Sequence, residues 1–106
     1  MSDKRTTEAE MSVAVLRILE EFPDGQATIE QIKKRIPDYI MLTEGDLQPS
    51  QTRSGEALWE QIVRNIVSHG NVGTAGNIIT EGYVEHQPGK LRITDAGRRH
   101  LRRLGY

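Results

Sequence analysis

A chain of 106 residues has room for one domain, and a domain of that size buries roughly two-thirds of its unfolded surface, enough for a core without staples. It has no cysteine, which excludes a disulfide framework, a thiolate metal site and a thiol nucleophile. The formal net charge is −1, which argues mildly against a nucleic-acid binder, but the distribution matters more than the sum: residues 1–50 are acidic, whereas Lys90, Arg92, Arg98, Arg99, Arg102 and Arg103 face only Asp95.

In chain order, residues 1–6 read as a disordered lead and residues 7–106 as the domain. Met1 to Glu10 is polar, with no apolar segment to serve as a signal peptide. Thr7 and Glu10 form a capping-box pattern ahead of Met11, Val15, Ile18, Leu19 and Phe22, an apolar stripe at helical spacing. Val13 and Leu16 fall beside that stripe, so this helix is apolar nearly all round. Pro23-Asp24-Gly25 is a turn, and Gln26-Ala27 a short extended piece. Thr28, with Gln31 three residues on, caps a second helix bearing Ile29, Ile32 and Ile36, and Pro37 is expected to stop it. Thr43 and Asp46 suggest one more helical turn, followed by a polar loop from Pro49 to Ser54.

A third main helix is expected from about Gly55 to Ser68, with Leu58, Trp59, Ile62, Val63, Ile66 and Val67 buried and Gly70 as a left-handed cap. Asn71 to Gly82 is rich in Gly, Asn and Thr and reads as a mobile loop. Tyr83 to Gln87 and Lys90 to Ile93 bracket Pro88-Gly89 as a hairpin. Leu91 and Ile93 share its core face, while alternation leaves the inward side of the first strand open between Tyr83/Glu85 and Val84/His86. Thr94 caps a last helix, Asp95 to Leu104, whose charges suit its dipole. No run nears the roughly 20 apolar residues needed to cross a bilayer, and the expected setting is cytoplasmic.

The order helix, short strand, helix, helix, hairpin, helix predicts an α+β, mostly helical chain: a winged helix-turn-helix with a three-helix core, a β-hairpin wing and a C-terminal helix. Leu42-Thr43-Glu44-Gly45-Asp46-Leu47, with Trp59 and Ile62 after it, resembles one family pattern, as does the ending Gly82-Tyr83 … Leu91-Arg92-Ile93-Thr94-Asp95-Ala96-Gly97-Arg98. Together they are similar to the N-terminal winged-helix domain of Mrr-type restriction endonucleases, over about Val13 to Leu104. The resemblance implies DNA recognition. It does not imply cleavage, because the family's separate nuclease domain has no counterpart here. The loop from His69 to Glu81 is also longer than the pattern.

Within this frame the candidate DNA-binding residues fall into three groups. Gln61, Arg64, Asn65 and Ser68 share one side of the third main helix; Gln and Asn suit adenine, and Arg suits guanine. A solvated face is the competing reading, with Glu56 and Glu60 repelling phosphate. Arg53 and Ser54 lie just before that helix, where hydroxyls and free N–H groups suit phosphate. His86, Lys90 and Arg92 lie on the hairpin. The tail arginines stand four apart as like-charged neighbours, to be relieved by an anion or by an acid such as Glu8 or Glu10 of the first helix.

No cofactor, metal site or catalytic set is expected. His69, His86 and His100 lack zinc-ligand spacing, Gly70-x-x-Gly73-x-x-Gly76 lacks the phosphate-loop pattern, and a short hairpin offers no converging carboxylates. The expected partner is DNA; a homodimer or a protein partner bound through an interaction module is the alternative.

Overall fold

The structure, a computed structural model, describes residues 4–106. Its elements are α1 (Glu8–Glu21), β1 (Gln26–Thr28), α2 (Ile29–Tyr39), α3 (Glu44–Leu47), α4 (Leu58–Asn71), β2 (Val84–Gln87), β3 (Lys90–Ile93) and α5 (Asp95–Arg103). They build an α+β fold, about half helical, with one antiparallel sheet in the order β1-β3-β2.

Among the described residues, threonines start every helix but α4. Thr7 accepts from the Glu10 backbone N–H and Glu10 accepts from that of Thr7; Thr28 with Gln31 and Thr43 with Asp46 repeat the box. Thr94 accepts from the Gly97 N–H. Each such cap contributes about 1 kcal/mol by satisfying a donor that the helix leaves orphaned. Of the lead expected over residues 1–6, residues 1–3 lie outside the described residues. Thr6, by contrast, is buried, and its N–H and hydroxyl both donate to the Asp46 carboxylate at 2.7 Å.

The core forms around α1. Met11, Val15, Leu16, Ile18 and Leu19 are fully buried, and α2, α4, α5 and β3 all pack on this helix. Leu16 therefore belongs to the core, and Val13 is partly covered. Ala27 pairs with Leu91 and Val84 with Ile93, and all four are buried. That resolves the inward side of β2: Val84 faces the core with His86 on the same side at the hairpin's end. Glu85 and Gln87 lie opposite Arg92 and Lys90 on the outer face.

Three boundaries depart from the expectations. α2 does not stop at Pro37 but runs to Tyr39, with the Ile40 N–H bonded to the Ile36 carbonyl at 3.0 Å. In the last turn Pro37 removes a single ladder bond, and buried Ile36 and Tyr39, covered by the Arg17 guanidinium at 5.0 Å, hold the turn in place. α4 starts at Leu58, not near Gly55, because Gly55 has a left-handed φ of 83°. At its other end α4 continues through Gly70 to Asn71.

Gly70 is thus not a left-handed cap. A Cβ there would lie 2.6 Å from Ile79 Cβ and 2.8 Å from Asn77 Oδ1, so glycine permits a close approach of the following loop. That loop is anchored to the core. The buried Asn77 amide donates to the Ile66 carbonyl at 2.8 Å, its Oδ1 accepts from the Ile79 N–H at 2.8 Å, and Ile78 joins the core cluster.

Candidate nucleic-acid interface

α4 turns its polar strip outward because Val63 and Ile66 face inward; Ser68 is exposed, while Gln61, Arg64 and Asn65 are partly covered. Gln61, Arg64, Asn65 and Ser68 stand there as expected, but most are already engaged. Gln61 Oε1 accepts from Ser50 Oγ at 2.7 Å, which ties α4 to the preceding loop. Ser68 Oγ donates to the Arg64 carbonyl at 3.3 Å. Asn65 is half-buried and makes no side-chain hydrogen bond among the described residues.

Arg64 is the centre of a charge cluster. Its Nε donates to Glu56 Oε1 and Oε2 at 2.9 and 2.8 Å, and its Nη2 lies 2.8 Å from Glu56 Oε2 and 3.6 Å from Glu30. Lys33, on α2, reaches Glu30, Glu56 and Glu60 at 3.3, 3.2 and 3.1 Å. Arg53 stands 4.0 Å from Glu56. Three cations and three carboxylates therefore balance. Glu60 also accepts from the Ala57 N–H at 3.1 Å and so caps α4 where Ala57 has no side-chain acceptor.

The Arg64 hydrogen bonds hold the Glu56 carboxyl at a pKa of about 2; burial opposes this, and Lys33 assists it. For Lys33 burial works to lower the pKa, but its hydrogen bonds to Glu60, Glu56 and Glu30 outweigh it and raise the value. A depressed carboxylate stabilises the fold fully above its ordinary range, and the contribution disappears as pH falls toward the folded value. From 4.5 to about 2 the contribution is on the order of 3 kcal/mol. Urea titrations should show Glu56→Gln less stable than the wild type by about that amount at pH 7, with the gap narrowing between about pH 4.5 and 2. A gap that stays constant with pH would show that the carboxylate charge is not what stabilises the fold.

The hairpin residues divide between two faces. His86, Arg64, Ser68, Val67, Arg53, Ile29 and Gly89 line one groove of about 220 Å³. The hairpin tip closes it, since the Gly89 carbonyl accepts from the Ile29 N–H at 2.9 Å. Lys90 and Arg92 project from the other side of the sheet, and Lys90 borders the start of α2 beside Thr28 and Gln31. Neither makes an ion pair among the described residues, and Ser54 is exposed without a hydrogen bond. The groove thus gathers Arg53, Arg64, Ser68 and His86 from α4, its preceding loop and the hairpin, and leaves Lys90 and Arg92 outside.

In the tail, the acid between the arginines is Glu20, not Glu8 or Glu10. It pairs with Arg102 at 2.9 Å and Arg98 at 3.4 Å, while Glu8 pairs with His69 at 2.8 Å. Arg99 and Arg103 remain unpaired among the described residues.

Sequence reasoning missed Lys33 and the structural role of Glu56. The Glu30–Lys33 spacing signals a helical pair. Nothing in the spacing from Glu56 to Arg64 does, because the intervening Ala57 lies before the helix. Comparison with known proteins finds no matching family model, curated protein or solved structure. Among the described residues no helix is long and apolar enough to cross a membrane.

Proposed function

We propose that this chain is a non-catalytic winged-helix domain that binds double-stranded DNA, with α4 as the reading helix and the β2–β3 hairpin as the wing. The groove that brings Arg53, Arg64, Ser68 and His86 together carries the reading. Its residues are types that bind phosphate and base edges, and they come from chain segments far apart in sequence. The element order and the β1-β3-β2 sheet support the winged-helix assignment. So does the resemblance to the N-terminal domain of Mrr-type restriction endonucleases.

In this arrangement α4 enters the major groove. Arg53 and Ser54 meet phosphates beside it, and Asn65, Ser68 and His86 meet base edges or sugar. Lys90 and Arg92, on the outer sheet face, hold the backbone from the other side of the hairpin. Retention on immobilised duplex DNA should fall steeply between about 50 and 200 mM salt, since each phosphate neutralised contributes a slope of about 0.9. Lys90→Ala should weaken binding to all sequences alike and flatten that slope by about one. Absence of retention at low salt would overturn the proposal.

A second reading, a homodimerisation or protein-interaction module, is favoured by one feature. An open, mainly apolar groove of about 660 Å³ runs between α1, the 74–83 loop and α5, with Val13, Tyr83 and Leu104 along it. Light scattering separates the two readings: self-association without DNA retention would select this one.

A further inference from the structure

We infer that Glu56 is a positioning residue that presents Arg64 to a guanine base. The inference rests on the DNA-binding reading and deepens it.

A guanidinium has two edges that can make paired hydrogen bonds: the Nε/Nη2 side and the Nη1/Nη2 end. In this fold Glu56 occupies the first. Nε and Nη2 are both within 2.9 Å of its carboxylate, whereas Nη1 makes no hydrogen bond or ion pair among the described residues, and the exposed Glu30 stands 3.6 Å from Nη2, beyond hydrogen-bond distance. The remaining end therefore stays available as a planar fork. Guanine offers O6 and N7 as two adjacent acceptors in the major groove, which is the pattern such a fork matches.

Orientation matters as much as availability. A free arginine loses rotamer freedom when immobilised. Here the cost is met on folding, because Glu56 is itself held by Lys33 at 3.2 Å, and Lys33 is anchored to Glu60 at 3.1 Å. α2, α4 and the loop before α4 thus converge on one guanidinium. Arg64, partly exposed, lines the groove together with Ser68 and His86.

Charge decides between phosphate and base. Phosphate contacts draw on net positive charge, and the Glu56 carboxylate beside Arg64 cancels much of it locally. What survives the pairing is hydrogen-bond geometry, which favours a base edge. Glu56 thereby converts a general DNA-attracting cation into a sequence-reading one. Arg53, 51% exposed in its side chain and 4.0 Å from the same acid, keeps the phosphate-binding role.

The test is selection of duplexes from a random-sequence pool by the full chain, comparing wild type, Glu56→Gln and Arg64→Lys. Arg64→Lys preserves a charge for Glu56 and so keeps the experiment decisive if Glu56→Gln fails to fold. Wild type should enrich a site with one required guanine; adenine or 7-deazaguanine there should cut affinity about tenfold or more. Both variants should lose most of that discrimination while still binding other DNA, and Glu56→Gln should gain a salt slope of about one from the released cation.

Retention of the wild-type preference by either folded variant overturns the inference, as does a wild-type site without an essential guanine. Uniform loss of binding by Arg64→Lys on every sequence also overturns it, since Arg64 would then be a phosphate contact. Each of these outcomes leaves DNA binding itself intact. A wild type that retains no duplex overturns the DNA reading together with this inference.

Discussion

Replacing Gly97 with alanine is expected to lower stability by about 3 kcal/mol or more, seen as a fall in Tm of about 12 °C or more. The opposite result would be expected from helix propensity alone, because alanine in a helix interior is better than glycine by about 1 kcal/mol. Packing decides the sign. Thr94 donates its N–H to the Tyr83 carbonyl at 3.0 Å and its hydroxyl to the Gly82 carbonyl at 2.6 Å, which presses the first turn of α5 against the chain entering β2. A Cβ at position 97 would overlap the Tyr83 carbonyl oxygen and stand 2.8 Å from Ile93 Cγ1. The carbonyl cannot withdraw without breaking its bond to Thr94, and moving α5 instead would pull Leu101 from full burial. Thermal unfolding followed by circular dichroism checks the direction. A raised Tm would show that α5 has room to shift.

That position also shows what kind of information the sequence carries well. Thr94-Asp95-Ala96-Gly97 reads as a helix start from local chemistry, as do Thr7 with Glu10, Thr28 with Gln31 and Thr43 with Asp46, and each cap is present. Capping is a contest settled within four residues, so it is legible in the chain itself. The hairpin is legible for the same reason, with Gly89 at a left-handed φ of 73° in its turn. The errors lie where distant segments override a local preference. Pro37 fails to end α2 because contacts made by Ile36 and Tyr39 outweigh one missing bond. Gly70 signals a helix end but serves the approach of Ile79, and the glycine-rich loop is fixed by Asn77 reaching Ile66 across 11 positions.

The candidate interface follows the same division. Helical spacing was sufficient to place Gln61, Arg64, Asn65 and Ser68 on one strip, and the Pro88-Gly89 turn was sufficient to make a hairpin. Whether the two strips would face each other depended on the sheet register. Pairing of Leu91 with His86 turns His86 toward α4, and the same alternation turns Lys90 and Arg92 away. Register also explains how an acidic chain keeps a DNA-facing groove in the proposed reading. Glu56 and Glu30 are spent on Arg64 and Lys33, Glu20 on Arg98 and Arg102, and the hairpin's cations stay unpaired among the described residues. Charge distribution, more than the net value of −1, sets what such a surface attracts.

Asp46→Ala should lower stability by about 3 kcal/mol, because it strands several buried donors at once. Asp46 is fully buried on a helix of one turn, and its carboxylate accepts from the Thr6 N–H, the Thr6 hydroxyl and the Thr43 N–H at 2.7, 2.7 and 3.0 Å. These bonds join the chain ahead of α1 to the segment between α2 and α4, 40 residues away. Burial pushes the carboxyl's pKa up, but the hydrogen bonds from Thr43 and Thr6 outweigh it and hold the group below its ordinary value of 3.8. Its stabilisation is therefore complete above the usual carboxylate range and is lost as pH falls through the lowered value. Asp46→Asn separates the two contributions: it keeps one acceptor oxygen and removes the charge, so it should cost less than Asp46→Ala and show no matching acid-dependent loss. Amide hydrogen exchange gives the local readout, with the Thr6 N–H losing protection in both variants and more in the alanine. If Thr6 stays protected in Asp46→Ala, the carboxylate is not what fixes this segment, and the fold must be held there by the burial of Thr6 alone.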